Sequence, residues 1–305
     1  MNLSQLVNTI QSLKEQFKTI KSIEYSKVSD FYWFNIVEVK DDSLITDRTY
    51  TGFDEKLDVA FSKAVSEFVE RKSFNMGYSQ NLKSCLTERS DGFAAYPLIQ
   101  NDIAKAKKIS RENALAEAIE RYAWASWWDN NFYEHEHEEY TLSDFAKKYS
   151  VQSKILNEID QEKKIQKIHI VEPLLENYQD LTLKIIVVEF SDGIVTGGAC
   201  GLNEDDASII TRAISELLRH ALVLIQNKKR PDQLSLYEDR LLYFATPDGT
   251  KSFYKRINQK GIQKIKLPNL AIDELIPSVQ SHVVHRCLFE NQPPFIGGAV
   301  ERMCL

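Results

Sequence analysis

Glu117 and Glu120, in the stretch Asn113-Ala-Leu-Ala-Glu117-Ala-Ile-Glu120-Arg121, are placed by type and spacing to hold a cation. On a helix, positions i and i+3 share a face, so the two carboxylates can converge on one point. Residues 110–128 contain neither Pro nor Gly and are rich in Ala and Glu, which predicts a helix with Ser110 as N-cap and Glu112 in its first turn. Leu115, Ala118, Ile119 and Tyr122 make one apolar stripe, and Ala116, Ala123, Trp124 and Trp127 make the other side apolar too. A helix apolar nearly all round is buried. Buried carboxylates must be paired, hydrogen-bonded or bound to a cation. Two acids face one Arg121 here, so one negative charge is left over.

The same pattern occurs twice more. Lys63-Ala-Val-Ser-Glu67-Phe-Val-Glu70-Arg71 and Arg212-Ala-Ile-Ser-Glu216-Leu-Leu-Arg219 both align with it. Each reads Ala, aliphatic, small, Glu, apolar, aliphatic, then a charged residue. The anchor glutamates at 67, 117 and 216 are unequally spaced, which excludes a solenoid repeat. Taken singly, each segment is an ordinary helix with Glu–Arg pairs worth a few tenths of a kcal/mol. Taken together, they point to a shared acidic site.

The elements that must position these helices follow from pattern. Leu3, Leu6, Val7, Ile10, Leu13, Phe17 and Ile20 recur at helical spacing and predict an N-terminal amphipathic helix, packed on the body or on a partner subunit. Residues 31–39, FYWFNIVEV, predict a strand, and a second runs through 45–50. Thr51-Gly52-Phe53-Asp54 breaks it, with Asp54 as N-cap of the first acidic helix. Residues 75–109 are irregular, with a turn-rich Ser90-Asp91-Gly92-Phe93-Ala94-Ala95-Tyr96-Pro97 and an exposed basic run before Ser110. His135 and His137 alternate in a polar segment, which favours solvated side chains over a metal site. Residues 141–163 read as helix. Residues 165–171 and 181–190 read as strands split by a turn around Asn177, and 241–244 and 282–288 as shorter strands. Thr196-Gly197-Gly198-Ala199-Cys200-Gly201 reads as a tight turn, or as a phosphate-cradling loop opening the third acidic helix, which Asn203 or Asp205 caps and which runs to about Gln226.

Composition narrows the function. The chain has 305 residues, 43% of them hydrophobic and 10% aromatic, enough for a substantial core in one domain. A net charge of −6 argues against a nucleic-acid binder. Cys85, Cys200, Cys287 and Cys304 show no CxxC spacing and read as free thiols in a reducing compartment. No signal peptide and no long apolar run is evident, so a cytoplasmic protein without membrane contact is expected. No P-loop is present, because Gly249-Thr-Lys251-Ser252 lacks the upstream Gly. GxGxxG, GxSxG and HExxH are absent as well.

These segments, in this order, resemble the YcaO family of ATP-dependent enzymes that modify the peptide backbone. The family carries an SAxxExxER-like helix, an SNGxAAG segment leading to an ExxER helix, and a Gly-containing segment followed by RAxxExxQ. The matches are Lys63 to Arg71, then Ser90-Asp91-Gly92-Phe93-Ala94-Ala95 with Glu117 to Arg121, then Gly198 to Arg219, within a resemblance spanning roughly residues 30–300. Lys63 stands where the family has Ser, Asp91 where it has Asn, and Arg219 where Gln is common. The chain closes on Glu301-Arg-Met-Cys-Leu305 rather than on the Pro-rich end of azoline-forming members.

The resemblance implies an α/β (α+β) fold of mixed sheets flanked by helices, as a YcaO-like domain over 23–305 behind an added helix over 1–22. It implies Mg²⁺ held by Glu67, Glu70, Glu117 and Glu120, and ATP contacted by Ser90, Arg121, Glu216 and Arg219. No side chain is singled out as a catalytic nucleophile. The activity implied is phosphorylation of a peptide amide oxygen, as in cyclodehydration of Cys, Ser or Thr to an azoline in a ribosomally made peptide. A thioamide-forming relative and a non-catalytic scaffold subunit are the alternatives. The partners implied are a peptide substrate and a second protein for leader-peptide recognition or sulfur delivery. A homodimer is the other assembly considered.

Overall fold

The computed structural model describes residues 3–28, 30–38, 48–78, 91–98, 102–176, 180–226, 236–277, 281–295 and 299–303. Among the described residues, three antiparallel sheets carry the chain. The first holds β1 (Ile20–Val28), β2 (Phe31–Glu38) and β3 (Arg48–Asp54), in that order. The second has the order β4 (Gly92–Pro97), β10 (His282–Phe289), β9 (Leu270–Ile276). The third is a meander of β5 (His135–Tyr140), β6 (Lys167–Pro173), β7 (Leu181–Glu189) and β8 (Ile194–Leu202). The helices are α1 (Leu3–Gln16), α2 (Leu57–Tyr78), α3 (Ile103–Asp129), α4 (Leu142–Lys148), α5 (Ser150–Glu162), α6 (Asp206–Gln226), α7 (Leu236–Phe244) and α8 (Pro247–Ile257). This is the expected α+β architecture. No helix among the described residues is long and apolar enough to cross a membrane.

The aligned Ala of the three acidic helices has a structural reason. Each helix lies on a strand glycine. A Cβ on Gly52 of β3 would meet Ala60 O at 2.0 Å and Ala64 N at 2.4 Å of α2. One on Gly92 of β4 would meet Ala114 O at 1.9 Å and Ala118 N at 2.4 Å of α3. One on Gly197 of β8 would meet Ala213 O at 2.3 Å and Leu217 N at 2.4 Å of α6. Ala64, Ala114 and Ala213 are equivalent positions of the aligned segments, so the helix backbone itself touches the strand. Gly92→Ala is therefore expected to cost about 3 kcal/mol or more, since backbone on both sides cannot yield as a side chain would. Urea unfolding measures it, and a loss under about 1 kcal/mol would contradict this packing.

Several expectations are corrected. Helix α1 ends at Gln16, and Ile20 opens β1, whose pairing with β2 begins at Ile20 opposite Glu38. Ile10, Leu13 and Phe17 pack on the body, with Phe17 edge-on to Phe68 of α2 at 4.9 Å. β3 continues through the Thr51–Asp54 stretch because Gly52 seats α2, and the helix begins only at Leu57. Helix α3 begins at Ile103, capped by Asp102, whose side chain accepts from Lys105 N at 2.9 Å. The basic run is thus its first turns. Ser110 is no cap: it is buried, and its hydroxyl donates to Ala94 O at 2.7 Å. The turn-rich segment is β4 from Gly92 onward, and the polar His-Glu alternation is the edge strand β5.

Residues 241–244 belong to helix α7, with Leu241 and Phe244 buried and Leu242 exposed. So short an apolar run is ambiguous between helix and strand. The Gly cluster after residue 195 is neither turn nor loop but part of strand β8. Its glycines admit α6 on one face at Gly197 and the Trp124 ring of α3 on the other at Gly198. His135 is half-buried, while His137 is exposed, as the polar alternation suggests. His135 Nε2 lies 3.1 Å from Ile257 O, and His137 Nε2 lies 3.0 Å from His169 Nδ1. Cys200 and Cys287 are free and buried. Ser90, Asn177, Cys85 and Cys304 lie outside the described residues.

Candidate functional site

The three acidic helices meet at a cleft of about 270 Å³. Helix α2 contributes Glu67 and Arg71, α3 contributes Asn113, Glu117, Glu120 and Arg121, and α6 contributes Arg212, Glu216 and Arg219. Strand β8 lines it at Gly198, Ala199 and Cys200, and Phe295 closes one wall. β8 is an edge strand, and its outward carbonyls are met from α6. Thr196 O lies 2.5 Å from His220 Nδ1, and Cys200 O accepts from Arg212. Gly198 has the same parity along the strand, so its backbone also faces outward.

The cleft neutralises itself. Arg71 Nε lies 3.1 Å from Glu67 and 3.9 Å from Glu70. Arg121 bridges Glu117 and the backbone carbonyl of Asp91. The other Glu117 oxygen accepts from Phe93 N at 2.6 Å. Arg219 pairs with Glu216, whose carboxylate also lies 3.1 Å from His220 Nε2. Burial opposes ionisation of Glu216, yet Arg219 and His220 hold it far below the usual carboxylate range.

Two carboxylates are answered less closely, Glu70 reaching Arg71 at 3.9 Å. Glu70 lies buried behind the cleft wall, and burial together with the charges of Glu67 and Glu117 pushes it well above its ordinary range. Glu120 makes no hydrogen bond or ion pair among the described residues, and burial and the Glu117 charge raise it to about 7. Such carboxylates gain from a cation. The acids do not form a ready-made cage, however. Among the described residues, no three cleft carboxylates bring ligand oxygens within 4.8 Å of one another. That suits an ion held by one or two carboxylates and completed by oxygens from a ligand, as Mg²⁺ is on phosphates.

The sequence-predicted site residues Glu67, Glu117, Glu120, Arg121, Glu216 and Arg219 all line this cleft, with Glu70 just behind, and Ser90 is outside the described residues. Its neighbour Asp91 is buried and paired with Arg286, which accounts for an acid where the resemblance has Asn. Lys63 is not beside the site: it turns to Asp54 at 2.7 Å and to Phe53 O at 3.2 Å.

Arg71, Arg212, Asn113 and Phe295 were not foreseen as site residues. Arg71 and Arg212 stood inside the aligned segments, so the repeat itself could have flagged them. Phe295 carried no local signal. Arg240 and Arg302 fix it by donating to its carbonyl at 3.1 and 3.2 Å, and its ring meets Trp124 at 5.6 Å and the Arg121 guanidinium at 5.9 Å.

No family model and no curated protein matches the sequence. Solved structures do. A YcaO from Methanopyrus kandleri, bound with AMPPCP and Mg²⁺, superposes with a TM-score of 0.59 at 11% identity, over 97% of this chain and 92% of that one. The chain has the YcaO fold. The E. coli microcin synthetase McbBCD complex with pro-MccB17 bound also shares the YcaO fold seen here, with a TM-score of 0.55 at 12% identity over 90% of this chain and 88% of that one.

Proposed function

We propose that this chain binds ATP with Mg²⁺ in the α2–α3–α6 cleft and uses it to activate a peptide backbone amide. The observation that carries the proposal is Glu120, raised to about 7 and unpartnered among the described residues, beside four guanidiniums. A divalent cation relieves Glu120 and Glu70, while Arg71, Arg121, Arg212 and Arg219 match the anionic oxygens of a triphosphate. The neighbour bound with AMPPCP and Mg²⁺ supports the same ligand class here.

When bound, the ion supplies charge neutralisation across the phosphates. The chain's own residues supply the rest. One or two of Glu67, Glu70, Glu117 and Glu120 would hold each ion, Arg121 and Arg212 would orient phosphate, and Glu216 keeps Arg219 in place. Asn113, Gly198 and Phe295 shape the space beside them. The buried thiol of Cys200, pushed well above its ordinary range by burial and Glu120, is unsuited to nucleophilic attack. Positioning and electrostatics carry most of a phosphoryl transfer, so no protein nucleophile is required.

The amide oxygen is the acceptor in this proposal, and cyclodehydration to an azoline is the outcome favoured, with thioamide formation as the alternative. Lys63, which stands where the family has Ser, turns away to Asp54 and puts no charge in the cleft, which favours an active enzyme over a scaffold. The McbBCD complex, with pro-MccB17 bound, supports a partner protein and a peptide substrate for this chain too.

Calorimetry tests the site. ATP is expected to bind with Mg²⁺ and not with EDTA. Arg212→Gln is expected to weaken binding about tenfold or more and to cost about 1 kcal/mol of stability, since its Glu204 partner is partly exposed but the Cys200 carbonyl loses a donor. Unchanged affinity in Arg212→Gln would place phosphate elsewhere. For the reaction, heavy oxygen placed in the substrate amide should appear in released phosphate, and label arriving only from water would mean hydrolysis instead.

A further inference from the structure

Asp273 of β9 and His285 and Cys287 of β10 bring three different ligand atoms within 4.8 Å of one another. The ladder explains why. His285 and Cys287 alternate onto one face of β10, and Asp273 stands directly opposite Cys287. Gly92, opposite Cys287 on the other side, abuts the backbone of α3, so this face is the one α3 covers. His285 Nε2 lies 2.7 Å from Asp273 Oδ1, and Cys287 Sγ lies 3.9 Å from the same oxygen. Among the described residues His285 Nδ1 has no hydrogen-bond partner, so the polar bonding of this buried imidazole goes through Nε2 into the cluster. Cys287 is fully buried, while the Asp273 side chain is 29% exposed and leaves a way in from solvent.

We propose that Asp273, His285 and Cys287 form a second cation site, for a thiophilic divalent ion of the zinc class, with a fourth position open to solvent. Carboxylate, imidazole and thiolate from one strand pair are a ligand set that zinc takes and magnesium does not. None of the three lines the cleft, so the two sites differ in place and in ligand softness. Binding forms the metal–sulfur bond and breaks S–H, and the proton leaves to solvent.

Arg111 of α3 is a positioning residue. Its Nε donates to both Asp273 oxygens at 2.9 Å, and its bonds keep that carboxylate below its ordinary range, ionised and aimed. A bound ion would join the edge strand β9 to β10 and, through Arg111, to α3.

Cobalt(II) titration of the intact reduced chain tests this. One equivalent is expected to give a thiolate-to-cobalt charge-transfer band in the near ultraviolet, which zinc removes. Cys287→Ser should abolish the band. Asp273→Asn, at a partly exposed position, should weaken zinc binding about tenfold or more. Cobalt binding without the band overturns the proposal, as does a band that survives in Cys287→Ser, since another cysteine would then be the ligand. Should Cys287→Ser fail to fold, Asp273→Asn decides, and unchanged zinc affinity in it counts against the site.

Discussion

Glu120→Gln is expected to stabilise the ligand-free protein by roughly 1–3 kcal/mol at pH 8 while abolishing its affinity for ATP with Mg²⁺. The two effects share one cause. Glu120 is raised to about 7, first by burial and then by the Glu117 charge. The folded state therefore holds its proton more tightly than the unfolded chain does, and stability falls as pH rises from about 4.5 through about 7. At pH 8 the ionised carboxylate is a cost, which the neutral amide of Gln does not carry. Below pH 4.5 both states hold the proton, so variant and parent should unfold alike. The full shift overstates the gain, because solvent reaches the side chain in part. In the proposed complex the sign reverses: the charge that destabilises the empty cleft is the one that holds the ion. Urea unfolding at pH 8 and pH 4, with calorimetry on the same samples, reads both. Equal stability at pH 8 together with retained binding would show that Glu120 is an ordinary surface acid.

Arg286→Leu is expected to destabilise the fold by about 3–5 kcal/mol. Arg286 and Asp91 face each other with side chains 2% and 3% exposed, and the guanidinium also lies 3.5 Å from Glu274. Removing the cation leaves the Asp91 carboxylate buried without its charge partner. The double variant Asp91→Asn, Arg286→Leu removes both charges and should recover much of the loss. The damage should reach the cleft, because the Asp91 carbonyl accepts from Arg121 and the amide of nearby Phe93 holds Glu117. ATP affinity is thus expected to fall in the single variant at temperatures where it is still folded. Urea unfolding of single and double variants decides it. A loss below about 1 kcal/mol in Arg286→Leu would mean that solvent reaches the pair.

Much of the cleft was legible from sequence because α3 announces itself by a rule that needs no tertiary context, and α2 and α6 repeat its residue pattern. A helix apolar on nearly every side is buried, and acids within it require an answering charge. The elements that were not legible depend on contacts the local pattern does not contain. Gly92-Phe93-Ala94-Ala95-Tyr96-Pro97 has turn composition, yet it is a strand because β10 pairs along it and Gly92 admits α3. The polar run from His135 to Tyr140 is a strand because it needs only one partner, β6, at the sheet edge. Ser110 has the chemistry of a cap and uses it on a distant carbonyl instead. Arg71 and Arg212 lay within the repeated segments but read as pairing charges, because a sequence does not show that both turn into one space.

The three strand glycines have a mechanical consequence for that space. Each acidic helix is seated in a notch where its backbone rests on Gly52, Gly92 or Gly197, with no side chain between to act as a bearing. Small sliding of packed helices, one common way for a cleft to close, is blocked here by direct backbone contact. In the proposed complex, adaptation would fall instead to side-chain rotation: the guanidiniums of Arg71 and Arg121 would trade the carboxylates of Glu67 and Glu117 for the incoming phosphate. The cleft is thus a rigid frame around exchangeable charges, and selectivity resides in how readily each pair lets go.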